Sequence, residues 1–171
     1  MSTHESVFLN LTPDTKVLIA LTHTHIQPLD ALCELIDNAI DSFSAAKLQG
    51  NPVKNPVVRI DLPKISDIEA GQGLVRVSDN GPGLSVENAE KALRAGFSGN
   101  NPYDTLGLFG MGLNISTGKM GSVTRFFSAR TEEENAIEVT IDLNKINQSK
   151  NYKVEAYRVP KGAMDHGTVI E

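Results

Sequence analysis

The chain of 171 residues contains a single cysteine, Cys33, so no disulfide can form within it. That excludes a disulfide-stapled scaffold and fits a reducing, cytoplasmic setting. Cys33 is expected to be a small core residue. The opening residues, Met1 to Ser6, lack the basic stretch and apolar run of a secretory signal. No apolar run approaches the length of a membrane span, so no membrane partner is expected. An excess of positive charge is missing too: the net charge is −5. Broad non-specific nucleic-acid binding is therefore disfavoured, because phosphate contact is driven by Lys and Arg. Lys145, Lys150, Lys153, Arg158 and Lys161 could still form a local patch, or could be the lysines that keep a strand edge soluble. Low-complexity tracts and internal repeats are absent, and 40% of residues are hydrophobic. A single globular domain spanning 1–171, with one sizeable core, is expected.

Residues 34–41 read Glu-Leu-Ile-Asp-Asn-Ala-Ile-Asp. Residues 28–48 read as one helix, broken by Gly50-Asn51-Pro52. With Glu34 at zero on a helical wheel, Asn38 falls near ~40° and Asp41 near ~−20°. The apolar Leu29, Leu32, Cys33, Ile36, Ile40 and Phe43 fall within roughly 160–260° and are expected to be the buried face. A carboxylate and a carboxamide on one side suit a site that holds a hydrated Mg²⁺ through a neutral oxygen and polarises water. Taken alone, the same pattern fits a surface helix with its acids in solvent. Asp37 falls about 60° beyond Ile40 on the wheel and is not expected to be a ligand.

Along the chain, 17–21 form a short apolar stretch that reads as a strand or short helix. Strands are expected over 57–62, stopped by Pro63, and over 74–78, with a turn region at 64–72 between them. Ser85 is a plausible N-cap for a helix over 86–95, with Gly96 as its stop. Residues 96–106 are rich in loop formers, and a second short helix is expected from near Met111. Strands are expected over 123–129, 136–143 and 154–159, with a last strand from Thr168. Helices come early and strands late, which predicts an α+β sandwich rather than a regular βαβ alternation.

Three further motifs stand in order after the helix. Asp79-Asn80-Gly81-Pro82-Gly83 follows an apolar alternation, Gly107-Leu108-Phe109-Gly110-Met111-Gly112 follows a polar stretch, and Gly167-Thr168 precedes Val169-Ile170. Together with the helix they resemble the GHKL ATPase superfamily. That group includes type II topoisomerase ATPase subunits, the large heat-shock chaperone ATPases, MutL-type repair proteins, MORC ATPases and sensor histidine kinases. The resemblance spans about residues 26–171. It implies a two-layer α/β sandwich, the Bergerat fold: a mixed, mostly antiparallel sheet covered on one face by helices. It also implies ATP and Mg²⁺ as ligands.

The resemblance makes Asp79 the adenine-binding aspartate. A carboxylate there can accept a hydrogen bond from the exocyclic amine, which guanine lacks, and Gly81 and Gly83 let the chain turn closely against a flat base. The GxxGxG run exposes backbone N–H groups, and the following helix presents its positive end to anions. It is not a P-loop, since no Gly-Lys-Ser/Thr follows, nor a GxGxxG dinucleotide fingerprint. Residues 96–110 would be the ATP lid. Ser98, Gly107, Leu108, Phe109, Gly110, Met111 and Gly112 would contact nucleotide, with Thr168 joining a water network around Asp79. Glu34 is the candidate general base, Asn38 the candidate Mg²⁺ ligand, and Asp41 an auxiliary position. The basic residue expected on the γ-phosphate is not evident. MORC-type patterns place a lysine soon after the glycine motif, where this chain has Asn114, and Lys119 is the nearest substitute.

The implied function is Mg-dependent ATP binding and hydrolysis, with lid closure and ATP-dependent homodimerisation. Two alternatives remain: a nucleotide-binding module without turnover, and a histidine-kinase catalytic domain. Glu34 weighs against the kinase, whose helix usually lacks an acid there. DNA or a protein client would be engaged through regions outside this chain, which is expected to be the N-terminal part of a longer protein.

Overall fold

The computed structural model describes residues 26–93, 112–149, 151 and 153–171. Residues 17–21 lie outside this description, as does the end of the helix expected to run to 95.

The first described helix, α1, spans Pro28–Leu48. Extended Gln27 precedes it, and Pro28 at its start gives up no hydrogen bond, because a first-turn N–H has no partner inside the helix. At the other end Gly50 adopts φ +82°, its N–H bonds Lys47 O at 3.1 Å, and Asn51 N bonds Ala46 O at 2.9 Å. These two bonds form a Schellman stop, and Gly50 takes the left-handed position at little steric cost.

The buried face of α1 is not the one expected. Ala31, Leu35, Ala39 and Ala46 are buried, whereas Leu29 is 69% exposed, Ile40 45% exposed and Cys33 exposed. Leu32, Ile36 and Phe43 are half-buried. The packing stripe lies at roughly 60–140° on the wheel where Glu34 is zero. Its alanines carry little hydropathy weight, yet they allow close approach to α4 (Gly112–Met120), against which α1 packs. Cys33 is therefore not a core residue. Glu34 and Asn38 border the packing seam rather than facing away from the core.

The six strands are β1 (Val58–Asp61), β2 (Arg76–Asp79), β3 (Val123–Ala129), β4 (Asn135–Asp142), β5 (Ala156–Pro160) and β6 (Gly167–Ile170). They form one sheet in the order β1-β2-β6-β3-β4-β5. Every described pairing is antiparallel, so the expected mixed sheet has no parallel member among the described residues. Two short helices occupy segments where none was expected. Ile65–Glu69, here α2, replaces most of the turn region, and Leu143–Ser149, here α5, follows β4 directly. In α2 the Lys64 N–H donates to the Asp67 carboxylate at 3.1 Å; in α5 the Asp142 carboxylate accepts from Asn144 and Lys145 N–H. Local capping rather than a long apolar period makes both helices.

Helices cover one face of the sheet. There Phe126, 1% exposed, packs with Ile137, Val139 and Ala89 of α3 (Val86–Leu93), with Leu84, Leu93, Ile141 and Ile170 around them. Residues two apart on a strand share a face, so Ser128 lies on this side with Phe126. The opposite face carries Arg59 paired with Asp61 at 3.0 Å, and Arg76 and Arg125 both paired with Glu171. Three of the basic residues near the C-terminus stand beside carboxylates. Arg158 pairs with Glu133 at 3.6 Å, and Lys145 and Lys161 each stand 3.9 Å from a carboxylate. Edge strand β5 carries Arg158, with Lys153 shortly before it and Lys161 directly after it. Lys150 lies outside the described residues.

Candidate nucleotide site

Chain order separates Asp79 from Thr168, but the insertion of β6 between β2 and β3 makes them direct cross-strand partners. Thr168 is in turn the partner of Ser128. Asp79, Thr168 and Ser128 thus form one row across three central strands, on the helix-covered face. Ser128 Oγ accepts from Leu84 N–H at 2.7 Å, donates to Gly167 O at 3.3 Å and stands 3.4 Å from Thr168 Oγ1. The buried hydroxyl is satisfied, and it ties the start of β6 to the segment leaving the glycine turn.

The turn after Asp79 is built around close approaches. Gly81 N–H donates to Asp79 Oδ1 at 2.7 Å. A Cβ on Gly81 would lie 2.6 Å from Ser42 Oγ and 2.7 Å from Asp79 Oδ1, so a side chain there would displace those groups. Gly83 has φ +69°, and a Cβ there would meet Ala129 O at 1.9 Å. Gly167, at φ +134°, would place a Cβ 2.1 Å from Asp79 O. The start of β6 thus approaches the end of β2, and Gly83 approaches the end of β3, more closely than a side chain permits. Asn80 anchors the turn from outside: its Oδ1 accepts from Val57 N–H at 2.7 Å and its Nδ2 donates to Asn55 O at 3.0 Å. His166 Nδ1 lies 2.8 Å from Gly81 O, and since a carbonyl only accepts, the imidazole donates.

Burial raises the pKa of Asp79 above the ordinary carboxylate value. Backbone hydrogen bonds from Gly81 and Thr168 and the nearby His166 oppose the shift. The result is a partly desolvated acceptor beside a glycine wall, which is what recognition of an N–H donor requires.

Glu34 and Asp41 on α1 are half-buried and Asn38 is exposed. The Asp41 pKa is raised, first by burial and then by the charge of Asp37. Among the described residues, no group of three His, Cys, Asp or Glu side chains could hold a metal ion alone. The amide oxygen of Asn38 is nonetheless a suitable donor for Mg²⁺, which commonly takes few protein ligands and draws the rest from phosphates and water. Gly112 opens α4, as the glycine-run reading anticipates. Lys119 stands in the last turn of that helix, about 10 Å along the axis from Gly112, and is not brought to its N-terminal end. Ser98, Gly107, Leu108, Phe109, Gly110 and Met111 lie outside the described residues.

Sequence reasoning passed over three members of this neighbourhood. Ser42 was readable, since Glu34, Asn38 and Ser42 follow at intervals of four on one helix. Ser128 and His166 carry no local signal, because only strand order brings them here.

Comparison with known proteins agrees with this geometry. The family model described as histidine kinase-, DNA gyrase B- and HSP90-like ATPase matches residues 26–168. Protein MICRORCHIDIA 1 of Arabidopsis thaliana is 26% identical over 116 residues, covering 68% of this chain and 17% of that protein. Protein MICRORCHIDIA 4 of the same plant is 27% identical over 114 residues, covering 66% of this chain and 13% of that protein. The chain therefore spans less than a fifth of the length of these relatives. By a match that takes in most of its length, from α1 to Thr168, this chain belongs to the histidine kinase-, DNA gyrase B- and HSP90-like ATPase family.

Proposed function

We propose that this chain binds ATP with Mg²⁺ and hydrolyses it. The observation that supports the reading is the row Asp79–Thr168–Ser128, which holds the half-buried Asp79 carboxylate beside the glycine turn. Asp79 would accept from the adenine amine, with Thr168 ordering water beside it. Asn38 would hold Mg²⁺, which supplies charge stabilisation to the phosphates when bound. Glu34, on the same side of α1, would orient the attacking water, since γ-phosphate hydrolysis depends mainly on positioning and electrostatics. Asp41 would support this arrangement from the next turn. The backbone at the start of α4 would face the phosphates.

The glycine-rich residues 96–110 would close over bound nucleotide as a lid. Closure would favour a homodimer if the closed state has the higher affinity for a second copy. Turnover would drive a DNA or protein client through regions outside this chain. Among the described residues no helix is long and apolar enough to cross a membrane. A cytoplasmic setting is proposed from the lone cysteine.

Steady-state hydrolysis and equilibrium binding test the assignments together. Glu34→Ala is expected to abolish turnover with ATP affinity nearly unchanged, whereas Asn38→Ala is expected to weaken Mg²⁺-dependent binding as well. An unchanged rate in Glu34→Ala would overturn the general-base role. Binding without turnover in the unaltered chain would identify a nucleotide-binding module instead.

A further inference from the structure

We infer that His166 is a positioning residue for the proposed adenine site, holding the Gly81 carbonyl and through it the turn that orients the Asp79 carboxylate. The inference rests on the adenine reading above. His166 Nδ1 donates to Gly81 O at 2.8 Å. Pro82 follows Gly81, so the peptide unit that carries this carbonyl has no N–H, and the oxygen is its only hydrogen-bonding group. The peptide unit before it donates Gly81 N–H to Asp79 Oδ1 at 2.7 Å. The two units meet at Gly81 Cα, where a glycine backbone has more freedom to rotate than any other residue. The imidazole removes that freedom at one end, which keeps the N–H on the carboxylate at the other.

Three consecutive residues at the start of β6 act on this one turn. His166 holds Gly81 O, Gly167 lets the backbone approach Asp79 O where a Cβ would stand 2.1 Å away, and Thr168 pairs with Asp79 across the strands. Asn80 fixes the turn from the other side through Val57 N–H and Asn55 O. Those bonds hold the Asn80 side chain, and the carbonyl of Gly81 falls to His166. Burial raises the Asp79 pKa, and the His166 ring is among the groups that oppose the rise. The same residue therefore favours both the orientation and the charged form of the acceptor. Since a carbonyl only accepts, the ring carries a proton on Nδ1 whether it is neutral or cationic.

Nitrogen-15 NMR of the unaltered chain, with the imidazole neutral, tests the bond without any variant. The Nδ1–H tautomer of His166 is expected; the Nε2–H tautomer would leave no proton for Gly81 O and would overturn the inference. Equilibrium binding of ATP with Mg²⁺, compared per folded molecule from the unfolding curve of each variant, tests the role. His166→Ala is expected to weaken binding about threefold to tenfold, the range of one net hydrogen bond. His166→Asn, whose amide nitrogen can take the place of Nδ1, is expected to recover most of that loss. In an Asp79→Asn background His166→Ala is expected to cost little more, because residues that act through one group do not add. Full additivity, no recovery in His166→Asn, or an unchanged affinity in His166→Ala would overturn the role. Asp79→Asn alone separates the two levels. If it binds ATP normally, the adenine reading fails and this inference fails with it; if it binds poorly while His166→Ala binds normally, only the histidine assignment fails.

Discussion

Asp79 combines two demands that oppose each other. As the proposed acceptor for a base it is strongest when ionised, yet burial makes its charged form costly and raises its pKa. Because the folded value lies above the unfolded one, the folded state holds the proton more tightly. Its stability contribution is therefore present below the ordinary carboxylate pKa and is lost as pH rises through the raised folded value. Nucleotide affinity should move the opposite way, since protonation removes the charge that strengthens the proposed acceptor. Urea denaturation across the acid range is expected to show this falling component in the unaltered chain and its absence in Asp79→Asn. An identical pH profile for the two proteins would mean that Asp79 is not desolvated. At the same scale, Ser116 on α4 is fully buried and its hydroxyl has no hydrogen-bond partner among the described residues, a local cost to the fold.

At the scale of elements, the glycine turn after β2 is where packing and recognition meet. Gly83 combines a left-handed backbone with a carbonyl, Ala129 O, occupying the place of a side chain. Gly83→Ala is expected to destabilise the fold by about 3 kcal/mol or more, through backbone strain added to a clash that β3 must move to relieve. Gly50→Ala, in open space at the end of α1, is expected to cost only about 1 kcal/mol, the left-handed strain alone. Denaturant unfolding of the two variants checks the contrast, and equal losses would contradict it.

The same elements show how far local pattern reaches. Pro28 and the Gly50 stop mark both ends of α1 in the sequence, and β3 lies where its alternation places it. The buried stripe of α1 was not legible, because alanines selected for close helix packing are outweighed in hydropathy by Leu29 and Ile40, which remain exposed. Helices α2 and α5 were missed because a few capping bonds make them, with too few turns for a period to emerge. The roles proposed for Glu34, Asn38 and Asp79 come from residue type, spacing and family resemblance, and the strand order adds only that Asp79 stands beside Thr168. Ser128 and His166 were not legible, since their place beside Asp79 depends on the strand order.

Over the whole molecule, that strand order is what makes a site from distant segments. Inserting the last strand between β2 and β3 aligns Thr168 with Asp79 and Ser128, and α1 brings Ser42 to the same turn. If nucleotide closes the domain and closure promotes pairing, sedimentation of the chain should shift from monomer to dimer with a non-hydrolysable ATP analogue and Mg²⁺, and not with Mg²⁺ alone. A sedimentation coefficient unaffected by the analogue would reject ATP-dependent dimerisation of this chain. Recognition of adenine by the half-buried Asp79 carboxylate is the proposal on which the rest depends. Titration calorimetry of the chain with ATP and with GTP, in Mg²⁺ and repeated on Asp79→Asn, tests it most directly. The account predicts at least about tenfold preference for ATP, and a loss of about 2 kcal/mol or more in ATP binding for the variant, as expected when a charge-assisted bond in a buried site is removed. Equal affinity for the two nucleotides, or an unchanged ATP affinity in Asp79→Asn, would contradict it.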